Sequence, residues 1–300
     1  MTDQITIQSA VANLSGLPRA RELFKLAIRA VRNWNTSNAW LLMLNSQPLL
    51  RELACLKPRL IYKVYRPYLS QAFRSTQRLA ALRDHYCYIF ASGLGPLTLR
   101  AARTPAPLAT AVGKSGSTFQ LALGAVGPME REGELVLQLA QEGTVICSCA
   151  FSFIAGEHGM MLAIGCLQGP KAPNGLQLVR EATRELHGLR PKNLLMRLLG
   201  HLAYLHNCAG LRMVGNQNRV VTSALRQGKV FADYDELWKE LHAKRRADGD
   251  FELACKQIAA PCLADIPSKK RAEMRRRHEI LDEFAGAIRR AIAHSNAQYA

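Results

Sequence analysis

The sequence of 300 residues lacks the features that would assign it at once to a membrane, secreted or metal-binding class. Its best apolar candidate, residues 144–155, falls short of the roughly 20 residues that a membrane-spanning helix needs. The first residues show no basic segment followed by an apolar one, the pattern of a secretory signal. The eight cysteines include no Cys-x-x-Cys pair and lie among apolar neighbours, as buried thiols do in a reducing compartment. The sequence therefore predicts a cytoplasmic protein without a structural metal.

Acidic side chains are also few. The chain has 40 lysines and arginines against 23 aspartates and glutamates, which gives a formal net charge of +17. Such an excess favours anionic partners: phospholipid headgroups, nucleic acid, phosphorylated cofactors or acidic carrier proteins. Nucleic acid is the least favoured, because the basic runs contain no interleaved aromatics and no helix-turn-helix or zinc-finger pattern is present. The charge alone does not choose among the others, and the oligomeric state is left open.

Helical periodicity dominates residues 1–92. A first helix is predicted from Leu17 to Trp34, with apolar residues on one side and five basic residues with a single acid on the other. This apolar side either packs on the protein core or attaches the protein to an anionic membrane. Further helices are predicted over residues 48–56 and 68–91. The apolar residues of the first helix are Leu23, Phe24, Ala27, Ile28, Val31 and Trp34.

The periodicity changes at Gly93, after which short apolar runs alternate with glycine turns as far as Leu167. This pattern is typical of an antiparallel meander. The fold class is therefore predicted as α+β, with a helical region over 1–92 and a mixed α/β region over 93–300 that together form one compact unit. The clearest elements after Gly93 are strands over 134–140, 145–154 and 160–167, helices over 175–186 and from Pro191, a strand over 211–215, and a basic amphipathic C-terminal helix.

A strand–loop–helix connection follows the strand at residues 160–167. Backbone N–H groups converge in such a turn and form a site for an anionic group. Gly169 and Gly175 have no Cβ atom, so a phosphate could approach the backbone closely, and Lys171 adds positive charge. The alternative is an ordinary connection rich in turn residues. The candidate binding residues of the loop are Gln168, Gly169, Lys171, Asn174 and Gly175.

Two histidines are candidate catalytic bases, and two cations are candidate binding residues. His187 ends the predicted helix beside Gly188, where an imidazolium would also favour the helix dipole without any chemistry. His85 lies on the polar side of its predicted helix, where a solvated or structurally bonded histidine is the alternative. Arg190 and Lys192 open the next helix and are placed to bind phosphate or carboxylate, with a solvated turn as the alternative.

Short motifs spread over residues 58–284 together resemble the bacterial VirK/YbjX family, a domain family of unknown function. The resemblance implies a Gram-negative protein linked to the cell envelope and to virulence-type surface traits, and it implies no established reaction. The motifs are Lys63, Arg66-Pro67-Tyr68-Leu69, His85-Tyr86, IGCLQGP at 164–170, Asn174-Gly175, Thr183, HGLRPK at 187–192, YDELW at 234–238, IPSKKR at 266–271 and Arg275-Arg276-Arg277.

The order of elements is also similar to the core of the GNAT acyltransferase fold: three antiparallel strands, a glycine-bearing loop, a helix and a further strand. That resemblance implies that the loop at Gln168 cradles the pyrophosphate of coenzyme A. The loop departs from the compact Gln/Arg-x-x-Gly-x-Gly/Ala of that family, because a longer insert separates Gly169 from Gly175, and Pro170 and Pro173 remove two amides.

Two functions follow as the main predictions, while a nucleic-acid binder stays third. The first is an acyltransferase that draws its acyl group from an acyl-CoA or acyl-carrier-protein thioester. The second is a non-catalytic peripheral membrane factor that assists envelope or virulence-protein localisation from the cytoplasmic side of the inner membrane. An acidic carrier protein would be the partner of the first, and an anionic membrane surface the partner of the second.

Overall fold

The computed structural model describes residues 4–221 and 232–297. The N-terminal part is helical, as its periodicity predicts, and a short 3-10 helix, Pro58–Tyr65, lies between its third and fourth α-helices. The helices are α1 (Gly16–Arg32), α2 (Trp34–Ser46), α3 (Pro48–Leu56), α4 (Ser75–Ala91), α5 (Gly95–Arg103), α6 (Gly175–Glu185), α7 (Pro191–Leu205), α8 (Tyr234–Glu240) and α9 (Ser268–Ala297).

A mixed sheet of eight strands forms the centre of the described chain, in the order β1-β2-β3-β4-β5-β6-β8-β7. The first five strands pair as an antiparallel meander, and β6 then lies parallel to β5. Helices α6 and α7 make the crossover between these two strands, so the predicted α+β class is confirmed, with its helical N-terminal region, antiparallel meander and C-terminal helix. The strands are β1 (Ala106–Val112), β2 (Thr118–Ala125), β3 (Leu135–Gln141), β4 (Thr144–Gly156), β5 (Gly159–Gln168), β6 (Gly210–Met213), β7 (Lys244–Arg245) and β8 (Phe251–Leu253).

Strands β5 and β6 separate before β5 ends. Their last backbone hydrogen bond runs from the Val214 amide to the Ile164 carbonyl, at 3.0 Å. Beyond it β5 continues to Gln168, paired with β4 alone. Gly165 is an extra residue in the β4–β5 register, and a Cβ atom there would overlap the carbonyl oxygen of Glu132. The result is a bulged strand with one free edge at its carboxyl end.

Two of the predicted boundaries are wrong. The helix predicted over residues 68–91 begins only at Ser75. Leu69 has a φ of +57°, and its amide donates to the Arg131 carbonyl at 2.7 Å, so this segment is held against a loop instead. The meander does not start at Gly93, because residues 95–103 form α5, which opens with the Gly-Pro pair that favours a first helical turn.

Helix α6 packs differently from its prediction. The sequence pattern places Leu176, Val179, Ala182 and Leu186 on one buried face, yet the Leu176 side chain is 79% exposed. Ala182 and Leu186 are buried and Leu178 and Val179 are partly buried, so the helix contacts the core from Leu178 onwards. The first turn projects into solvent beside the loop that precedes it.

A single cluster of buried apolar side chains contains residues from both predicted regions, from Ile5 to Ile288. The C-terminal helix α9 adds Leu281 and Phe284 to this cluster and packs against β1, the terminal strand of the sheet. Near its end, the Ser295 hydroxyl donates to the Gly93 carbonyl at 2.7 Å. Within the described ranges, no helix combines the length and apolar character needed to cross a membrane.

Candidate functional site

Tyr234, the first residue of α8, closes the free edge of β5. Its hydroxyl accepts a hydrogen bond from the Leu167 amide at 2.8 Å and lies 3.1 Å from the Leu167 carbonyl oxygen and 3.3 Å from the Cys166 sulfur. The Trp238 indole, one turn later, donates to the Val214 carbonyl at 2.8 Å and fixes α8 beside β6. Burial raises the pKa of Tyr234 well above 10, so its hydroxyl remains a proton donor at neutral pH.

The buried carboxyl group of Glu132 and the buried thiol of Cys166 lie beside this tyrosine. Burial raises the pKa of Cys166 to about 12, so the sulfur is a neutral thiol and a poor nucleophile at neutral pH. Burial also raises the pKa of Glu132, against the opposing effects of its hydrogen bond with Cys166 and of the charges of Arg219, Arg131 and Lys171. The end of β5 therefore has a protonated hydroxyl, that of Tyr234, on one side. On the other side it has the carboxyl group of Glu132, which lies near several cations.

The loop after β5 opens towards solvent. The Gly175 amide donates to the Ala172 carbonyl at 2.9 Å, so α6 begins from a tight turn. A Cβ atom on Gly175 would lie 3.2 Å from the Pro170 carbonyl oxygen, whereas one on Gly169 would meet no atom within 4 Å. Gly169 therefore has the open surroundings that close approach of a ligand requires. Of the predicted loop residues, Gln168, Gly169 and Gly175 are half-buried, and Lys171 and Asn174 are exposed.

The rest of the predicted site lies at the other end of α6. This helix has 11 residues, which corresponds to about 16 Å of rise between Gly175 and the turn that carries His187. The His187 carbonyl accepts a hydrogen bond from Arg277 of α9. Arg190 is exposed, and Lys192 is half-buried at the start of α7. The structure thus separates His187, Arg190 and Lys192 from the loop, and their predicted roles stay predictions.

The surroundings of His187 disfavour a positive charge on its imidazole at the end of α6. Burial, together with the charges of Arg276 and Lys114, lowers the pKa of its imidazole. The backbone φ of +52° lets the chain turn from α6 into α7. The turn and its backbone bond with α9 therefore account for the position of His187, and the lowered pKa disfavours the imidazolium that would interact with the helix dipole.

His85 lies inside the protein, which corrects its predicted place on a polar helix side. Its Nδ1 accepts the Phe153 amide at 3.1 Å, and burial together with the Lys63 charge lowers its pKa to about 3. Nearby, the Glu134 carboxylate is bound by Lys63 and by the Tyr86 hydroxyl. Four residues of the family motifs, including Tyr68, therefore meet around Glu134, in a fully buried network without access for a ligand.

Helix α1 presents an exposed apolar face to solvent. Only Leu26 and Ala30 of this helix are buried. On its outer side, Leu17, Phe24 and Val31 are 86%, 68% and 70% exposed. Packing of this side on the core, one of the two sequence interpretations, therefore holds only for the partly buried Leu23 and is wrong for Phe24, Ile28 and Val31. The outer apolar residues are Leu17, Phe24, Ile28 and Val31 of α1 and Trp34 at the start of α2.

A row of cations flanks this apolar face. Within the described residues, Lys25 pairs with Glu22 at 3.0 Å, whereas the other α1 cations form no ion pair. At 100° per residue, Arg21 and Arg32 fall within 60° of the line through Phe24 and Ile28. An exposed apolar stripe beside unpaired cations, opposite a narrow buried stripe, is the pattern of a helix that lies in a membrane interface.

Some of these residues could have been found in the sequence, and others could not. Tyr234 and Cys166 stand in two family motifs that are 68 residues apart, and only the fold brings them together. Glu132 and Glu134 lie in a short acidic stretch that the meander pattern treated as a turn and a strand start. Among the described residues, no group of three or more His, Cys, Asp or Glu is arranged to hold a metal ion.

Comparisons with known proteins agree with the motif resemblance. The chain is 32% identical over 263 residues to the Uncharacterized protein YbjX of Escherichia coli, covering 86% of this chain and 79% of that one. It is 33% identical over 149 residues to an uncharacterized protein of Haemophilus influenzae, covering 48% of each chain. A solved cAMP-binding acyltransferase from Mycobacterium smegmatis is 14% identical and matches 72% of this chain and 61% of that one, with a TM-score of 0.27.

A TM-score this low carries no argument about activity, so the family assignment depends on the sequence comparisons alone. Residues 16–290 match the family described as Protein of unknown function (DUF535). This match covers most of the chain, and YbjX of Escherichia coli gives its name to the family that the motifs resemble. The chain therefore belongs to the DUF535 family, that is, the VirK/YbjX family.

Proposed function

We propose that this protein attaches reversibly to an anionic membrane surface, where its α/β core binds an acyl thioester and transfers the acyl group. The observation that carries the membrane part is the outer face of α1, with its exposed Leu17, Phe24 and Val31 beside a row of unpaired cations. The cytoplasmic face of the inner membrane is the surface proposed. The family resemblance to envelope-linked proteins supports this location.

The expected attachment is weak and reversible. Burying an exposed Leu, Ile, Val or Phe side chain contributes about 1.5–3 kcal/mol when the burial is complete. A basic residue beside an anionic leaflet contributes about 1 kcal/mol at low salt. Since the helix lies in the interface and buries its one apolar stripe only partly, the attachment stays reversible and falls well short of the insertion of a membrane-spanning helix.

Vesicle sedimentation tests the membrane part. Full-length protein should sediment with vesicles of phosphatidylglycerol and phosphatidylcholine, bind pure phosphatidylcholine much less, and dissociate as salt rises. The double variant Phe24→Ser with Val31→Ser should lose binding tenfold or more and keep its melting temperature, because neither side chain is packed. Leu176→Ser is the matched control, since it removes an equally exposed leucine from α6.

Two results would contradict the membrane part. One is sedimentation of the double variant at the level of the parent. The other is a large fall in its melting temperature, which would mean that the α1 face is covered in the folded protein. Equal loss of binding by Leu176→Ser would indicate that removal of any exposed apolar side chain weakens binding, with no special role for α1.

The thioester part is carried by the carboxyl-terminal edge of β5, which has diverged from β6 and is bonded there by the Tyr234 hydroxyl. Ligands of open α/β sheets bind outside the carboxyl ends of strands, where neighbouring strands diverge. Here that edge leads into the open loop at Gly169 and the amino end of α6, with Lys171 exposed beside it. The resemblance to the GNAT core supports a coenzyme A or carrier-protein thioester as the ligand.

The proposed reaction is direct transfer from the thioester to an acceptor. A covalent acyl-cysteine is disfavoured, because the pKa of Cys166 is raised to about 12 and little thiolate forms. Glu132, with its raised pKa, is the group proposed to accept the proton of the attacking nucleophile. The Tyr234 hydroxyl, after it releases Leu167, is the group proposed to donate a hydrogen bond to the leaving thiolate. The proton taken up by Glu132 then passes to that thiolate, so both side chains return to their starting states.

Binding of acyl-CoA, acylated carrier protein and unloaded carrier protein to purified protein tests this part. Gly169→Val should prevent thioester binding without strain, since its Cβ meets open space. Lys171→Ala should weaken binding by about 1–3 kcal/mol if it contacts a phosphate. Lys114→Ala, an exposed lysine of the β1–β2 turn, is the control. Parent-like binding by both loop variants would overturn the site.

A further inference from the structure

A cavity of about 530 Å³ lies between α7, α8, β6, β8 and the segment 254–259. None of the residues proposed above for membrane or thioester binding lines it. Its position is nevertheless close to the carboxyl end of β5, because α8 begins at Tyr234 and ends at the cavity wall after seven residues. The apolar part of the wall consists of Leu189, Met196, Leu211, Leu241, Leu253 and Ile258.

The rim of the cavity is charged. Arg197 of α7 and Lys256 of the segment that follows β8 both line the cavity, and both are solvent-exposed. Neither forms an ion pair or a hydrogen bond with any residue in the described ranges. Partial burial and the nearby charge of Arg277 lower the pKa of Arg197, which indicates that the guanidinium lacks a compensating anion.

One acid, two neutral amides and an imidazole complete the polar lining: Glu240, Asn193, Gln257 and His242. Glu240 is the carboxylate among the lining residues, so the two cations leave one net positive charge at the opening. Asn193 adds an amide one turn before Arg197 on the same side of α7. An anionic group at the rim would therefore meet two cations and an amide donor, while anything attached to it would lie against leucine, methionine and isoleucine side chains.

We infer that this cavity binds an anionic amphiphile, a medium-length alkyl or acyl chain that ends in a carboxylate or a phosphate. The volume lies within the range of about 300–1,000 Å³ that small-ligand sites occupy, and a mostly apolar wall with few polar groups is their usual composition. The two unpaired cations select the sign of the head group. This inference goes beyond the proposed function, because binding here needs neither the membrane surface nor transfer of an acyl group.

Calorimetric titration of the full chain with dodecyl compounds below their micelle concentrations tests the inference. Dodecanoate and dodecyl phosphate should bind, and dodecyltrimethylammonium should bind at least tenfold more weakly. Acetate should not bind measurably, because it lacks the chain that the wall accommodates. The ratio between dodecanoate and dodecyl phosphate distinguishes a fatty-acid head group from a phosphate one.

Three variants locate the binding. Arg197→Ala with Lys256→Ala should weaken dodecanoate binding tenfold or more and leave binding of neutral dodecyl maltoside unchanged. Ala259→Trp should fill the mouth from an exposed position and weaken both. Arg184→Ala, an exposed arginine in the last turn of α6, is the matched control and should bind as the parent does.

The α1 double variant separates this site from the membrane face. Phe24→Ser with Val31→Ser should keep full dodecanoate binding even where it loses vesicles, so failure of one proposal does not imply failure of the other. The inference is overturned if dodecanoate binding falls in that variant but not in the cavity variants. It is equally overturned if cationic and anionic chains bind alike. If Ala259→Trp does not fold, the comparison of Arg197→Ala and Lys256→Ala with Arg184→Ala decides.

Discussion

Helices α1 and α9 are both basic and amphipathic, yet they turn their apolar sides in opposite directions. In α9, Leu281 and Phe284 are buried in the core, and Arg277 is held by Glu273 and by the carbonyl of the α6–α7 turn. In α1, Phe24 and Val31 face solvent, and the neighbouring arginines form no ion pair among the described residues.

The difference shows what amphipathicity does and does not determine. A helical stripe of apolar residues indicates that something covers it, but the covering surface lies outside the helix sequence. For α9 that surface is the sheet and α7. For α1 the protein covers only the narrow stripe of Leu26 and Ala30, so the wider stripe is left for a partner.

The largest expected effect comes from truncating one phenylalanine on each helix. Phe284→Ala should lower the free energy of unfolding by about 3–5 kcal/mol, because it leaves a cavity in the core. Phe24→Ala should change it by less than about 0.5 kcal/mol, as is usual for an exposed position. Urea denaturation of both variants measures the contrast, and similar losses would mean that α1 is also packed.

The buried His85 of α4 makes the stability of the protein depend on pH, which can be tested. The pKa of His85 is about 3 in the folded protein, against 6.5 for a free imidazole. Between these two pH values the imidazole is protonated in the unfolded chain and neutral in the folded protein. Stability should therefore be complete above pH 6.5 and fall as the pH drops from 6.5 towards 3, by up to about 1.4 kcal/mol per unit. Denaturant midpoints at pH 7 and pH 5 measure this.

His85→Asn supplies the control for that measurement. The asparagine amide oxygen can accept the Phe153 amide in place of Nδ1 and does not titrate. The variant should lose less stability than the parent between pH 7 and pH 5. His201 and His206, whose pKa values are also lowered by burial, contribute equally to both proteins. Identical pH profiles would show that His85 is not the group responsible.

A smaller effect is expected for the arginines. Arg277→Ala removes a hydrogen bond to the His187 carbonyl and an ion pair with Glu273, so it should cost about 1–2 kcal/mol. Arg32→Ala in α1 removes no bond within the described chain and should leave stability unchanged. Thermal melts of the two variants compare them, and an equal loss would show that the α1 cations are bound within the fold.

Much of the fold was predictable, because its signals are local. The strands β3, β4 and β5 alternate with glycine turns, and α7 is apolar throughout, so both could be recognised without knowing their neighbours. The α5 helix was missed because Gly93 and Gly95 were taken as the start of the meander, although Gly95 is the first residue of the helix. The late start of α4 depends on Leu69, whose bond to the Arg131 carbonyl has no signal in the local sequence.

The candidate site was less predictable, for a physical reason. The Gln168 loop stands out by its glycines, but Tyr234 and Glu132 reach the end of β5 only through the fold. The sequence pattern placed His187 and Arg190 next to the loop, because the family motifs follow one another closely in the sequence. In the structure α6, with a rise of about 16 Å, lies between the loop and these two residues. The prediction assumed that residues close in the sequence are close in space. A helix of 11 residues between the loop and His187 is long enough to make that assumption fail.

The bond between Ser295 and Gly93 joins residues that are 202 positions apart. It has a consequence for the order in which the protein is made. The meander can pair as soon as it is synthesised, but the terminal strand β1 receives its packing from α9 only after almost 300 residues have been joined. A nascent chain without residues 268–297 keeps an unprotected strand edge, which is prone to pair with other chains. Ribosome-bound intermediates of this protein are thus expected to depend on chaperones until α9 arrives.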